Sequence, residues 1–246
     1  MLHKIAPLLV LIVVCLPGVV ISAEPAAPPA VEGGILIFGG TRNTGLEVAK
    51  HLRARGEIVT VFVRPSSDRS ALAPLGVRFV VGDAVVADDV NAAFANTRYR
   101  AVITTLGCFK CDVPPDFLGN RNVFDAARDA RIRRVIMISS IGAGDSAEAM
   151  PWIVKWALED VLILKTRAED YLQATGVPYT IIRPGGLKNG EPTGNALLTE
   201  DPMAMGIVTR RDLAQLIVGA LDDPTASKKI YSALDSEFSW PWDMWD

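Results

Sequence analysis

The sequence predicts one α/β domain, a doubly wound parallel sheet with helices on both faces. Three observations carry this expectation. Short apolar segments alternate with amphipathic ones from Ile35 onward. The short segments are nearly continuous runs of Val, Ile and Leu, as strands buried on both faces require. The first of them runs straight into a glycine turn and then a helix.

Taken in order, the first strand is Ile35–Phe38, and a helix follows over Gly45–Arg55, ended by Gly56. Leu46, Ala49 and Leu52 recur there at helical spacing. The second strand is Ile58–Val63, followed by a turn at Pro65-Ser66-Ser67 and a short helical piece. The third strand is Val77–Val81, and a helix covers Ala87–Asn96. Ala101–Thr105 is the fourth strand, and Asp116–Ala130 is helical with Val123, Phe124 and Ala127 on one face. Val135–Ser139 is the fifth strand, before a long helix over Trp152–Ala174 that stops at Gly176. Tyr179–Arg183 is the sixth strand, and a loop leads to Thr209, the expected N-cap of a helix over Arg210–Leu221. Ile230–Leu234 is the last strand, and a Trp-rich tail, 236–246, follows. The folded domain is thus expected over 34–235.

The turn Gly39-Gly40-Thr41-Arg42-Asn43-Thr44-Gly45 is the most informative stretch. Gly39 and Gly40 are expected to take backbone angles closed to other residues and to let phosphates approach the main chain. The free N–H groups of the helix start then point at the anion, with the helix dipole behind them. Gly45 would let the helix pack close to the strand. Glycines between a strand and an amphipathic helix are the context a dinucleotide-binding motif requires.

Composition narrows the partners. The chain has 25 basic and 28 acidic residues, with no basic stripe or tail, so nucleic acid is a poor partner. At the N-terminus, His3 and Lys4 precede an apolar run from Ile5 to Ile21, and Ser22-Ala23 then meets Glu24. Residues 1–23 read as a secretory signal peptide cleaved after Ala23, or, uncleaved, as a membrane anchor. Residues 24–33, with Pro25, Pro28 and Pro29, read as a flexible linker. Export or membrane anchoring is therefore the expected localisation. Cys108 and Cys111 form a C-x-x-C pair, read as a structural disulfide, plain thiols or a redox pair. Zinc is unsupported, because the only histidines are His3 and His51, and His51 falls among helix surface positions.

In a doubly wound sheet the ligand lies beyond the carboxyl ends of the strands. Arg64 ends the second strand, where NAD-selective folds commonly place a carboxylate. With Arg42 in the turn, two guanidiniums suit a 2′-phosphate. NADP is thus favoured over NAD. Gly82-Asp83 ends the third strand, where Asp83 either accepts from an adenine amino group or caps the next helix. Thr105, Leu106 and Gly107 form a small-residue turn that lets a cofactor pass. Ser139-Ser140-Ile141-Gly142 follows the fifth strand, and Arg183-Pro184-Gly185-Gly186 should wall the nicotinamide or substrate side.

These residues resemble the atypical short-chain dehydrogenase/reductase family, in its NAD(P)-binding, NmrA-like branch. The resemblance rests on the glycine turn, Val63-Arg64, Gly82-Asp83, Asn122 with Ala126-Ala127, and Ser139 to Gly142. Lys165 with Ala168-Glu169, and Gly176 to Gly185, complete it. It spans about residues 34–235. It implies a Rossmann-like fold binding NADP or NAD, with the substrate over the C-terminal part. Its members include reductases of small molecules, quinones and flavins, and cofactor-binding regulators without turnover.

Reductases of the wider superfamily pair a Ser and a Lys with a Tyr proton donor four residues before the Lys. Lys165 matches the Lys, and Ser139 or Ser140 the Ser, but Val161 stands where the Tyr would be. Tyr171 lies on a different helix face. Reversible alcohol oxidation needs a positioned base and is disfavoured. Reduction of an acceptor that takes its proton from water stays open, because hydride transfer is the cofactor's own chemistry. The expectation is an NADPH-dependent oxidoreductase acting on a quinone, flavin or conjugated carbonyl. Ser139, Ser140 and Lys165 are the candidate catalytic residues, and Lys165 also the candidate for holding the ribose hydroxyls. The rival is a non-catalytic NAD(P)-binding sensor or scaffold, and the third reading is a sugar-nucleotide epimerase. Trp152 and Trp156 share a helix face and read as core or pocket wall; Trp240, Trp242 and Trp245 lie in the tail.

Overall fold

A computed structural model describes residues 31–109 and 111–237. The signal or anchor segment, most of the linker, and Trp240, Trp242 and Trp245 lie outside the described residues. The elements in chain order are β1 (Val31–Phe38), α1 (Asn43–Ala54), β2 (Val59–Val63), β3 (Arg78–Val81), α2 (Ala87–Phe94), β4 (Thr97–Thr104), α3 (Leu118–Asp129) and β5 (Val135–Ile138). Then come α4 (Trp152–Ala174), β6 (Tyr179–Pro184), β7 (Gly186–Lys188), β8 (Ala196–Thr199), β9 (Ile207–Thr209), α5 (Arg210–Asp222) and β10 (Lys229–Asp235).

Eight strands form one sheet in the order β3-β2-β1-β4-β5-β6-β10-β8. All neighbours are parallel except β8, which pairs antiparallel to β10 at the edge. The expected doubly wound α/β fold is present. Alternation along β1 divides the core. Ile35 and Ile37 join a cluster with Val48, Ala49 and Leu52 of α1 and Leu213 and Ile217 of α5. Leu36 and Phe38 face the opposite layer, with Val90 of α2, Val123 and Phe124 of α3, and Leu172 of α4. Both faces of each central strand are therefore dry, and each fully buried Ile or Leu is worth about 1.5–3 kcal/mol. In α1 the wholly buried positions are Val48, Ala49 and Leu52, with Leu46 only partly buried.

Four details depart from the sequence reading. β1 begins at Val31, so it takes up the last three residues assigned to the linker. β4 likewise begins early, at Thr97, because Val31 and Glu32 pair with Thr97 and Arg98 and satisfy each other's backbone groups. α3 starts at Leu118 rather than Asp116, whose carboxylate accepts from the Cys108 N–H in the preceding loop. The segment read as one loop between β6 and α5 holds β7, β8 and β9, and β7 pairs with β9 in a small separate ladder. Strands of three or four residues carry too little periodicity to stand out. Thr209 does cap α5: its Oγ1 accepts from Asp212 N–H at 3.0 Å and donates to Asp212 Oδ2 at 2.7 Å.

Candidate cofactor-binding site

Strand order reverses between β1 and β4, and the crevice at their carboxyl ends is where such sheets bind ligands. Gly39 sits there with φ of +80°. A Cβ on Gly39 would lie 2.7 Å from Thr105 Oγ1, and one on Gly45 would lie 2.3 Å from the Gly39 carbonyl oxygen. The turn, the helix start and the end of β4 are thus pressed together, with Thr105 Oγ1 donating to Gly39 O at 3.1 Å. Gly40 corrects the expectation. Its φ is not positive, and its missing Cβ instead makes room for Val61 and Ile37 beneath the turn. No side chain caps α1, so the first N–H groups of the helix are left for the cleft.

The cleft holds about 660 Å³. It is lined by Gly39, Thr41, Arg42, Asn43, Thr44, Gly45, Arg64, Asp83, Thr105, Leu106, Gly107, Ser139, Lys165 and Pro184, all expected from sequence. Arg42 and Arg64 are exposed at its mouth. Asp83 Oδ1 accepts from Val85 N–H at 3.2 Å, fixing the turn before α2, and no side chain caps that helix. Asp83 therefore lines the cleft without capping.

The other end of the cleft is built differently. Ser139 is buried, and its hydroxyl donates to Glu169 Oε1. Glu169 also receives Arg183, with Nη2 at 2.6 Å from Oε2. Arg183 reaches on to Asp145. Burial by itself lowers the Arg183 pKa, but Glu169 and Asp145 more than offset this and hold the guanidinium above its ordinary value. Lys165 is buried, and Nζ donates to the carbonyls of Leu106 at 2.8 Å and Ile138 at 3.2 Å. It therefore ties the ends of β4 and β5 together. Burial pushes its pKa below the ordinary lysine value, against the pull of Asp116, whose Oδ1 lies 3.5 Å away. Ser140 does not line the cleft, and its hydroxyl donates to the carbonyl of Ile141 at 2.9 Å. Consecutive residues at a strand end point to opposite sides, so only one of two adjacent serines faces the site. Tyr171 lies away from Lys165 and donates to Asp125 on α3 at 2.8 Å.

Asp116, Glu169 and Arg210 carry no role in the sequence reading, and Arg183 is there only part of a wall. Asp116, Glu169 and Arg183 act through partners distant in sequence, which no local pattern announces. Arg210, at the first position of α5, also lines the cleft, and its Nη1 donates to Asn189 Oδ1 at 3.0 Å. Cys108 and Cys111 border the cleft as a disulfide with Cα atoms 5.7 Å apart. Trp152 and Trp156 are 79% and 75% exposed. They are not core: they wall a separate surface groove on α4, away from the residues just described.

The glycine cradle, the uncapped helix start and the two exposed guanidiniums fit a dinucleotide. The NAD(P)H-binding family model matches residues 39–224. The chain belongs to this family. It is an NAD(P)-binding oxidoreductase of the atypical short-chain type. Among solved structures, ChuY, an anaerobillin reductase of Escherichia coli O157:H7, superposes with a TM-score of 0.76 at 31% identity. That match covers 84% of this chain and 99% of ChuY. An uncharacterized chloroplastic protein of Arabidopsis thaliana is 30% identical over 212 residues, 80% of this chain and 74% of that protein. Sanguinarine reductase of Eschscholzia californica is 31% identical over 121 residues, 47% of this chain and 43% of the enzyme. Further similar proteins of pea and Arabidopsis are also named chloroplastic. These names overturn the expectation of a secretory signal peptide, export or membrane anchoring. An apolar N-terminal run is read by a targeting receptor before folding, so its hydrophobicity alone does not fix the compartment. No described helix is long and apolar enough to cross a membrane.

Proposed function

We propose that the protein transfers hydride from NADPH to a conjugated, planar acceptor of the quinone, flavin or extended-carbonyl class. The observation that carries the cofactor preference is the pair Arg42 and Arg64. Both line the mouth of the cleft, and neither makes an ion pair among the described residues. A forked guanidinium matches a phosphate dianion, and no carboxylate stands at the end of β2 to favour a bare ribose. Thr44 and Gly45 at the uncapped helix start, with Arg210 nearby, suit the pyrophosphate.

The bound nicotinamide supplies the hydride. The chain supplies position. Lys165 holds the β4 and β5 ends at fixed separation and is the residue that would hold the ribose hydroxyls. Pro184 and Leu187 offer an apolar wall. The Ser139 hydroxyl donates its hydrogen bond to Glu169, so its oxygen keeps lone pairs for the cleft. With Val161 in the Tyr position, no phenol stands ready to protonate an alkoxide. Acceptors whose reduced form spreads the charge and is protonated by water suit this site. The names of ChuY and sanguinarine reductase, which denote reductases of large conjugated molecules, support this acceptor class. The chloroplastic names among the relatives support organelle targeting.

A fluorescence titration of the domain with NADPH and NADH, followed by an acceptor screen under NADPH, tests this reading. Tight NADPH binding with turnover of a quinone, flavin or conjugated carbonyl is expected. NADPH binding with no turnover of any of them would instead favour the non-catalytic sensor. Equal affinity for the two cofactors would overturn the 2′-phosphate assignment.

A further inference from the structure

The Cys108–Cys111 pair is not required by any step above, yet it stands on the cleft wall beside Gly107. Both cysteines are half-buried, with exposed Phe109 between them and exposed Asp112 and Val113 beyond. An external dithiol can therefore reach the bridge. Inward, the Cys108 N–H donates to Asp116 Oδ2 at 2.9 Å. The other oxygen of this wholly buried carboxylate has no hydrogen bond and faces Lys165 Nζ at 3.5 Å. Gly107 is squeezed between them: a Cβ there would lie 3.1 Å from Asp116 Oδ1 and 3.4 Å from Lys165 Nζ. Lys165 in turn holds the Leu106 and Ile138 carbonyls. One contact chain thus runs from the disulfide through Asp116 to Lys165.

We infer that Cys108–Cys111 is a thiol–disulfide exchange site that sets the affinity of the cleft for its dinucleotide. The inference rests on the cofactor reading above. In the exchange, a thiolate of an external dithiol attacks one cysteine sulfur and the Cys108–Cys111 bond breaks. The second thiol of the reductant then displaces the mixed disulfide. The protein gains two thiols, and the dithiol leaves as its own disulfide. Opening the bridge returns backbone freedom to the loop that carries the Cys108 N–H, and the Asp116 oxygen it held loses its fixed donor. Asp116 and Lys165 then lose their fixed arrangement at the cleft, and binding must restore it.

Binding and redox state are linked reciprocally: if reduction weakens NADPH binding, NADPH must favour the disulfide by the same factor. Coupled sites typically show about 5- to 150-fold effects. The test compares NADPH dissociation constants of the full chain with the bridge closed and after reduction by dithiothreitol, with bridge state read by thiol alkylation and mass. A Cys108→Ser/Cys111→Ser variant serves as a permanently open form. Hydrogen exchange across residues 104–118 is followed in parallel. The expected result is at least about fivefold weaker binding in the open forms, with faster exchange over that loop. NADPH affinities within twofold across verified open and closed forms would overturn the inference. A bridge that dithiothreitol leaves closed would overturn it too. If no form binds either dinucleotide, the cofactor reading falls, and the exchange data alone decide whether the bridge controls the Asp116 loop.

Discussion

The two ends of the cleft differ in how their polar groups are used. At the glycine-turn end, Arg42 and Arg64 are exposed and make no ion pair among the described residues, and the first N–H groups of α1 have no side-chain cap. At the Ser139 end nearly every polar group is already engaged: Ser139 with Glu169, Glu169 with Arg183, and Lys165 with two carbonyls. The first end is poised for a charged ligand that supplies the missing partners. The second is pre-set by the protein, so it can orient a ring but has little proton-donating capacity left. This difference matches a reductase whose cofactor does the chemistry.

The largest expected effect lies at the pre-set end. Arg183→Ala leaves Glu169 buried without its partner, and losing one member of a buried pair costs about 3–5 kcal/mol. Urea unfolding reads this directly; a loss under about 1 kcal/mol would mean the network does not hold that end. Next comes the turn. Gly45→Ala puts a methyl 2.3 Å from the Gly39 carbonyl oxygen. Overpacking of this kind costs about 1–3 kcal/mol, and NADPH and NADH binding should weaken together because the turn proposed to hold their shared pyrophosphate is deformed. Unchanged affinity for both would break the assignment of the open end.

Arg64→Asp probes the open end more selectively. A hydrogen bond to a charged group is worth about 1.5–3 kcal/mol, so NADPH affinity should fall by roughly 10- to 150-fold while NADH changes little. The smallest effect belongs to a network outside both ends. Burial acts to raise the Asp212 pKa, but N–H groups of Thr193 and Gly194 and the hydroxyls of Thr209 and Thr193 more than offset it, leaving it below its ordinary 3.8. Its contribution is therefore present above pH 4 and lost as pH falls through the lowered folded value. Asp212→Asn should cost about 1 kcal/mol at neutral pH and flatten the acid side of the stability curve. An unchanged acid limb would rule this carboxylate out as a source of pH dependence.

The open end was legible in the sequence because its parts are local. Gly39, Arg42, Thr44 and Gly45 lie within one strand–turn–helix unit, and Arg64 follows the next strand by a single residue. Gly40 and Ser140 were misplaced because the direction a residue faces depends on what packs beneath it. For Trp152 and Trp156, helical spacing fixes only that they share a face; of core and pocket wall, the structure makes them the wall of a surface groove.

The doubly wound sheet, its dry central strands, the glycine turn and the cap at Thr209 follow from local sequence alone, because period, turn chemistry and capping act over a few residues. The absence of a phenol four residues before Lys165, where Val161 stands, is equally local. Folding in three dimensions sets the hydrogen bond from Ser139 to Glu169, the ion pair of that carboxylate with Arg183, and the link from Cys108 through Asp116 to Lys165. Those contacts join residues 8 to 49 positions apart, and such pairs meet only after the sheet has set the strand ends side by side.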